Sequence, residues 1–427
     1  MRYPGDCERE FARYGEGKTL RLVPHHIQTP PYGLLQYPSP NREVLRDVKT
    51  RLSSFNPKRH VDPKTIATIK VVRSLSGGLG GDAQVLLCEL VGSRPNVDER
   101  RHMDFPPSSP GKNPLFVAKV FDPMFFCPRI IPPIDNFQLA DQRLSRESSA
   151  LQYLYNMHIR RRGIMGHPHM VPEYYGNWAV EIDLDDGETR YVGAVLMEYI
   201  KGPSIEKLCF RDTEGRLHPR DCPIYAPDTP AHGLTVDEDV RKEALKQFLE
   251  GFAGHFHIGV EHHGALASDL FVLLDRGAAR KVVRVVILDY STCRVLEKTT
   301  QARTEEWWYS HYPIQLLPHP PHPFETFNVE ALQFLQGWIS AEWEEEYAKF
   351  DDWLRDERDI GPVLDGAKWF VFTSIRFRAR KREQERAEVA EKKRKREEAA
   401  KSRPAKASRR GEKENKEFEA TTYQWSH

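Results

Sequence analysis

The side chains best suited to chemistry stand far apart in the chain, and two of them stand out by their surroundings. Lys119 is the one charge in the apolar run Leu115-Phe116-Val117-Ala118-Lys119-Val120-Phe121. A lysine inside such a strand commonly sits at a sheet edge with its ammonium in water, but it is also a cation placed to grip an anion. Upstream lies Gly77-Gly78-Leu79-Gly80-Gly81-Asp82-Ala83-Gln84-Val85 between two strand-like runs. Four glycines there keep the backbone amides bare, and with no Cβ in the way a phosphate could approach. The same glycines would equally serve as a flexible turn. Glu147 lies in a helical pattern carried by Leu144, Leu151, Leu154 and Tyr155. It is either part of a solvated helix face or the ion-pair partner of Lys119. Farther on, His263 and Asp289 open the loops that flank an apolar hairpin, Phe271–Leu274 and Val282–Leu288.

Bulk properties restrict the setting. The 427 residues suffice for two or three domain-sized units or for one two-lobed domain with extensions. A mean hydropathy of −0.62 is low for a compact enzyme and predicts polar flanks diluting an ordinary core. Net charge is +1, unevenly spread. Between Arg376 and Phe418 there are 18 Lys/Arg against 9 Asp/Glu, a surplus of nine that leaves the rest at −8. That balance excludes nucleic-acid binding by the folded part. The six cysteines form no CxxC pair, so reduced thiols are expected rather than a disulfide framework. The N-terminus is charged, and no apolar run approaches the ~20 residues of a membrane helix. The expectation is a soluble intracellular protein with no membrane association.

The elements that must position these side chains follow in order. Residues 1–65 are rich in Pro and isolated charges and read as a poorly ordered leader, with a short helix near Asn41–Leu52. Strands are expected from Ile66 and over Leu86–Gly92, then a polar insertion at 93–114, the Lys119 strand, and a helix over Asp135–Ile159. Two more strands are expected at His169–Trp178 and Tyr191–Ile200, the second ending in Leu196-Met197-Glu198-Tyr199-Ile200-Lys201-Gly202. A polar insertion spans 209–234. A helix from Asp237 to Ile258 follows, with Thr235 and Glu238 at capping-box spacing and a wide apolar stripe. A further helix is expected near Val329–Trp338. The tail at 366–427 reads as mixed-charge helix and disorder. Its cluster Lys392-Lys393-Arg394-Lys395-Arg396 is either a nuclear-import signal or a solvated charged face, which leaves the cytoplasm or the nucleus as the expected location.

Taken together, the glycine-rich hairpin, strand Lys, helix Glu, MEY segment, long helix, His loop, strand pair and Asp loop resemble the eukaryotic protein-kinase-like superfamily. The resemblance runs from Ile66 to Leu296. After Asp289 the chain is similar to the reduced large lobes of degenerate kinase-like proteins of fungal type. It implies an α+β, two-lobed protein-kinase-like fold. Residues 66–200 would be a small β-rich N-lobe with one helix, and 201–365 a reduced, mainly helical C-lobe. Gly78, Gly80 and Ala83 stand at the three glycines of the GxGxxG loop, with Val85 over adenine. Lys119 would hold nucleotide phosphates and pair with Glu147. Met197 would be the gatekeeper, and Glu198 to Ile200 would offer backbone groups to adenine. Asp289 would hold the metal ion.

The resemblance also implies a loss. With His263 as the anchor of the HRD-type loop, Gly264 replaces its Arg, Leu266 stands at its Leu, Ala265 replaces the catalytic Asp, and Leu270 replaces the metal-binding Asn. A methyl group cannot orient an acceptor hydroxyl or take its proton. Anchoring on His262 instead would put Gly264 at the Asp position, which is no more catalytic. The expectation is a pseudokinase that binds ATP, with Mg as the accompanying metal, through Lys119 and Asp289, and acts through protein partners that the sequence does not identify. Two alternatives stay open: an active phosphotransferase with Asp269 as a displaced base, and a kinase-shaped scaffold without nucleotide.

Overall fold

Short runs of alternating apolar and polar residues give the first part of the chain its strands. The computed structural model describes residues 4–25, 62–78, 82–92, 94–95, 113–127, 136–160, 170–184, 187, 189–220, 222–226, 229–274, 283–298, 320–321, 330–338 and 394–395. Helix α1 (Pro4–Ala12) leads to β1 (Thr19–Pro24), followed by β2 (Ala67–Ser76), β3 (Gln84–Val91), β4 (Leu115–Val120), α2 (Asn136–Arg160), β5 (Tyr174–Asp183) and β6 (Thr189–Glu198). The six strands close into an antiparallel barrel in the order β1-β2-β3-β4-β6-β5.

The period of two decides which way each side chain points. In β4, Phe116, Ala118 and Val120 pack with Leu22, Ile69, Leu86, Trp178 and Leu196 in the barrel core. Val117 belongs to the second core, together with Val195, Met197 and Leu144, Leu151 and Leu154 of α2. Lys119 shares the parity of Val117 and so leaves the barrel core. α2 approaches β6 closely at Gly193, where a Cβ would meet Leu144 Cδ2 at 2.1 Å.

The barrel corrects the expected leader. Residues 4–25 are not loosely ordered: β1 pairs with β2 (Leu22 opposite Ala67) and with β5 (Leu22 opposite Val180). Its pattern is only six residues long and flanked by Pro-rich sequence, so its strand character depends on two waiting edges. Closure leaves no free edge to template aggregation. The expected helix at Asn41–Leu52 lies outside the described residues, as do most of the 93–114 insertion and all of the charged tail except 394–395.

The rest of the described chain is a mosaic of small sheets around one long helix. The insertion expected at 209–234 forms two hairpins, β7 (Cys209–Arg211) with β8 (Leu217–Pro219) and β9 (Pro223–Ala226) with β10 (Thr229–Thr235). Helix α3 spans Glu238–His257. Its N-cap is Asp237, whose side chain accepts from Val240 N at 3.0 Å, rather than Thr235 of the expected capping box. An aspartate is among the strongest N-caps. Strand β11 (Val260–Glu261) pairs with β14 (Arg294–Val295), and β12 (Leu270–Leu274) with β13 (Val283–Ile287). Between Tyr290 and Thr292 lies one 3₁₀ turn. The helix expected at 329–338 is instead a kinked 3₁₀ segment, Glu330–Leu335, that delivers a fully buried Trp338. Among the described residues this part holds a single α-helix, fewer than a mainly helical reading expects. All these elements belong to one compact unit, Met1–Val371; Phe372–His427 is a second.

Candidate functional site

Three side chains from three elements meet at one ammonium. Lys119 Nζ on β4 lies 2.5 Å from Glu147 Oε2 on α2 and 2.8 Å from Asp289 Oδ1 after β13. Glu147 is therefore not on a solvated helix face: its side chain is 1% exposed, against 12% for Lys119 and 45% for Asp289. Burial alone would lower the pKa of Lys119, but the two carboxylates outweigh it and hold the ammonium charged. One positive charge cannot neutralise both acids. The more buried one gives way: burial pushes the Glu147 carboxyl up to about 7, against the pull of Lys119. Its Oε1 has no hydrogen-bond partner among the described residues. Asp289 goes the other way. Burial pushes it up, yet Lys119 and Ser291 hold it well below the usual carboxylate range.

The backbone at Asp289 is strained. Its φ is +60°, in the left-handed region, and its side chain caps the 3₁₀ turn by accepting from Ser291 N. Asp82, in the glycine-rich hairpin, has φ +55°. These are the two non-glycine residues with positive φ among those described, and both line the same cavity of about 660 Å³. Strain of this kind costs on the order of 1–3 kcal/mol per residue and concentrates at functional sites.

Most of the residues singled out in the sequence line that cavity. Val85, opposite Lys119 in the β3–β4 register, is on its wall with Met197, Ile200 and Phe271. Glu198 also reaches the cavity, but its carboxylate is held by Arg284 at 2.8 and 3.0 Å and takes Glu173 N. Its own N–H donates to Glu173 O, so this amide is not open to a ligand. Gly78 departs from expectation in the same way. Its N–H is not bare: it donates to Gln84 Oε1 at 2.9 Å, and Gln84 Nε2 donates back to Gly78 O. A fully buried glutamine needs those partners. Gly80 lies outside the described residues.

Of the two adjacent histidines, one is buried and the other exposed. His262 is buried and meets the Tyr290 ring edge-on at 5.2 Å, and burial pushes its pKa down to about 4. His263 is exposed. Gly264 stands two residues after His262 and Ala265 two after His263, and neither side chain can act as a base. Leu270 points into the core, fully buried in β12. The cavity residue is its neighbour Asp269, whose pKa burial and the nearby Asp289 raise to about 6. Asp269 accepts from Leu266 N and Ser268 Oγ. Sequence reasoning missed Arg143, Asp82 and Ser291 on the cavity wall. Arg143 had a usable signal, since it lies one helical turn before Glu147 and must share its face.

The arrangement places a shared cation, two acids and an apolar wall around one void, a layout suited to a ligand with an apolar body and an anionic tail. No family model matches the chain, and no curated protein matches it. Among solved structures it is similar to the crystal structure of the BubR1 kinase domain, with a TM-score of 0.32 and 10% identity over 58% of this chain and 54% of that one. The chain thus spans about half the length of that domain.

Proposed function

We propose that this protein is a pseudokinase: a kinase-shaped, two-lobed protein that binds ATP and acts through protein partners. The observation that carries the reading is Lys119, held between Glu147 and Asp289 on the wall of a 660 Å³ cavity. In this reading the barrel and α2 form the small lobe. Adenine lies against Val85, Met197 and Ile200, and the phosphates reach Lys119. The donor set suits Mg²⁺, which takes one or two carboxylates and fills its other positions with phosphate oxygens and water. Asp269 and Asp289 would hold it. Lys119 Nζ and Ser291 N both donate to Asp289 Oδ1. Bound there, the metal would neutralise phosphate charge. What the chain lacks is a base at Gly264 or Ala265, since neither can accept a proton.

One observation favours a second reading, an active phosphotransferase with a displaced base. The Asp269 carboxyl titrates at about 6, near the pH at which a general base works best. Melting temperature and γ-phosphate transfer, measured with ATP in the presence and absence of Mg²⁺, separate the readings. A ligand that binds only the folded state raises the melting temperature. A rise without turnover, abolished by Lys119→Ala, is the expected result. Turnover lost in Asp269→Ala favours the second reading, and no rise at any ATP concentration leaves a scaffold without nucleotide.

A further inference from the structure

Arg143 is a cation of this site, next to the Lys119 cluster, that the reading above does not use. It sits on α2 one turn before Glu147, lines the same cavity, and brings Nη1 to 3.4 Å from Ser291 Oγ. Ser291 N in turn donates to Asp289 Oδ1, so Arg143 stands one residue away from the Lys119–Asp289 pair. Among the described residues that long contact is its sole hydrogen bond, and no carboxylate lies within ion-pair distance of it. A guanidinium carries five N–H donors in a planar fork, so most of its donors have no partner among the described residues. Buried arginines are normally paired, and Lys119 on the same wall is held by two acids.

Two cations stand close together here: Lys119 and Arg143 both line the cavity, with Asp82, Asp269 and Asp289 on the same wall. A planar fork matches the paired oxygens of a phosphoryl group better than an ammonium does.

We infer that Arg143 binds the terminal phosphoryl group of a nucleoside triphosphate, so that the site tells triphosphate from diphosphate. The inference rests on the nucleotide-binding reading. Lys119 then holds the phosphate chain in both nucleotides, and Arg143 touches only the last group of the longer one. The rest of α2 positions it: Glu147 is fixed by Lys119, and Leu144 is wedged against Gly193.

Isothermal titration of the full chain with Mg-ATP, Mg-ADP and inorganic phosphate tests this, on wild type, Arg143→Gln and Arg143→Lys. Hydrogen bonds to a charged group are strong enough that Arg143→Gln should weaken ATP binding by about 10- to 100-fold and ADP binding by less than about 3-fold. Arg143→Lys keeps the charge without the fork and should recover part of the ATP preference. Lys119→Ala should weaken both nucleotides. If Arg143→Gln weakens both nucleotides equally, or neither, while wild type still binds ATP, this inference falls and the nucleotide reading stands. Binding of inorganic phosphate as tight as that of ATP would make the site a free-anion site and overturn the inference. A wild type that binds no nucleotide overturns both. Unchanged melting temperatures of the unliganded variants show that they are folded.

Discussion

Asp122 lies three residues beyond Lys119 and ties the N-terminal segment to the barrel, so its removal tests whether residues 4–25 are integral to the fold. It is fully buried and accepts four hydrogen bonds: from Arg190 Nη1 and Nη2 at 2.8 Å each, Tyr14 Oη at 2.8 Å and Met124 N at 3.0 Å. Arg190, also buried, donates to Glu10 of α1 at 2.7 Å. Burial and the Asp122 charge keep the Tyr14 hydroxyl protonated, so it remains a donor. Asp122→Ala strands the Arg190 guanidinium with Glu10 as its remaining acidic partner. Breaking a buried pair from one side costs about 3–5 kcal/mol. Tyr14→Phe removes one bond to a charged acceptor, about 1.5–3 kcal/mol, and keeps the ring against Phe125 at 5.9 Å. The two effects must not add, because Tyr14→Phe has nothing left to lose once Asp122 is gone. Urea denaturation followed by circular dichroism gives the cycle, and trypsin digestion adds a local readout at Arg13 and Lys18, between α1 and β1. A cost below about 1 kcal/mol for Asp122→Ala, or additive single effects, would refute an integral N-terminal strand.

Three further outcomes follow from the same structure. Glu147 holds its proton up to about pH 7 when folded but only to about 4.3 when unfolded. Its contribution to stability is therefore complete below about pH 4.3 and is lost as pH rises to 7. The melting temperature of Glu147→Gln should gain on wild type across that window and level off above it; a difference that shrinks with rising pH sinks the assignment. His262 has the opposite sign, since its folded pKa of about 4 lies below the unfolded ~6.5. Its contribution is present above pH 6.5 and lost as pH falls toward 4, so His262→Phe should flatten the acid limb of a melting-temperature profile between those values. Gly202 packs so closely on β12 that a Cβ would stand 2.7 Å from Val272 O. Gly202→Ala should cost about 1–3 kcal/mol in urea denaturation, and a neutral result would show that this linker moves freely.

What could be read from the sequence was what depends on local pattern. Lys119 stood out because a charge inside an apolar strand is conspicuous, and α2, α3 and the β12–β13 hairpin fell within a residue or two of their expected limits, whereas β5 begins and ends five residues later than expected. The barrel could not be read, because β1 offers only Leu20, Leu22 and Val23 as buried positions and is a strand by virtue of its two neighbours. Two adjacent histidines are equivalent as letters, and only packing tells them apart: His262 is buried against the Tyr290 ring while His263 is exposed. Asp269 likewise takes its place on the cavity wall from the fold, not from its spacing in the chain. Arg143 was legible in principle, four residues before Glu147 on the same helix face, but only the fold shows that this face lines the cavity.

The costs gathered at the cavity argue against a site kept merely for packing. Asp289 and Asp82 are held at positive φ, Glu147 Oε1 is buried without a partner among the described residues, and one ammonium serves two acids. Local rules broken together in one place mark function rather than stability. Replacing a buried ionic group by apolar residues of similar size is commonly neutral or stabilising by about 1–4 kcal/mol. The triple variant Lys119→Met, Glu147→Leu, Asp289→Asn should therefore unfold in urea at or above the wild-type midpoint. It should also lose every response to ATP. A drop of more than about 2 kcal/mol would mean that the cluster holds the fold together, and the strain would then need no ligand to explain it. An unchanged midpoint with ligand binding abolished would leave binding as the reason these residues are arranged at such cost.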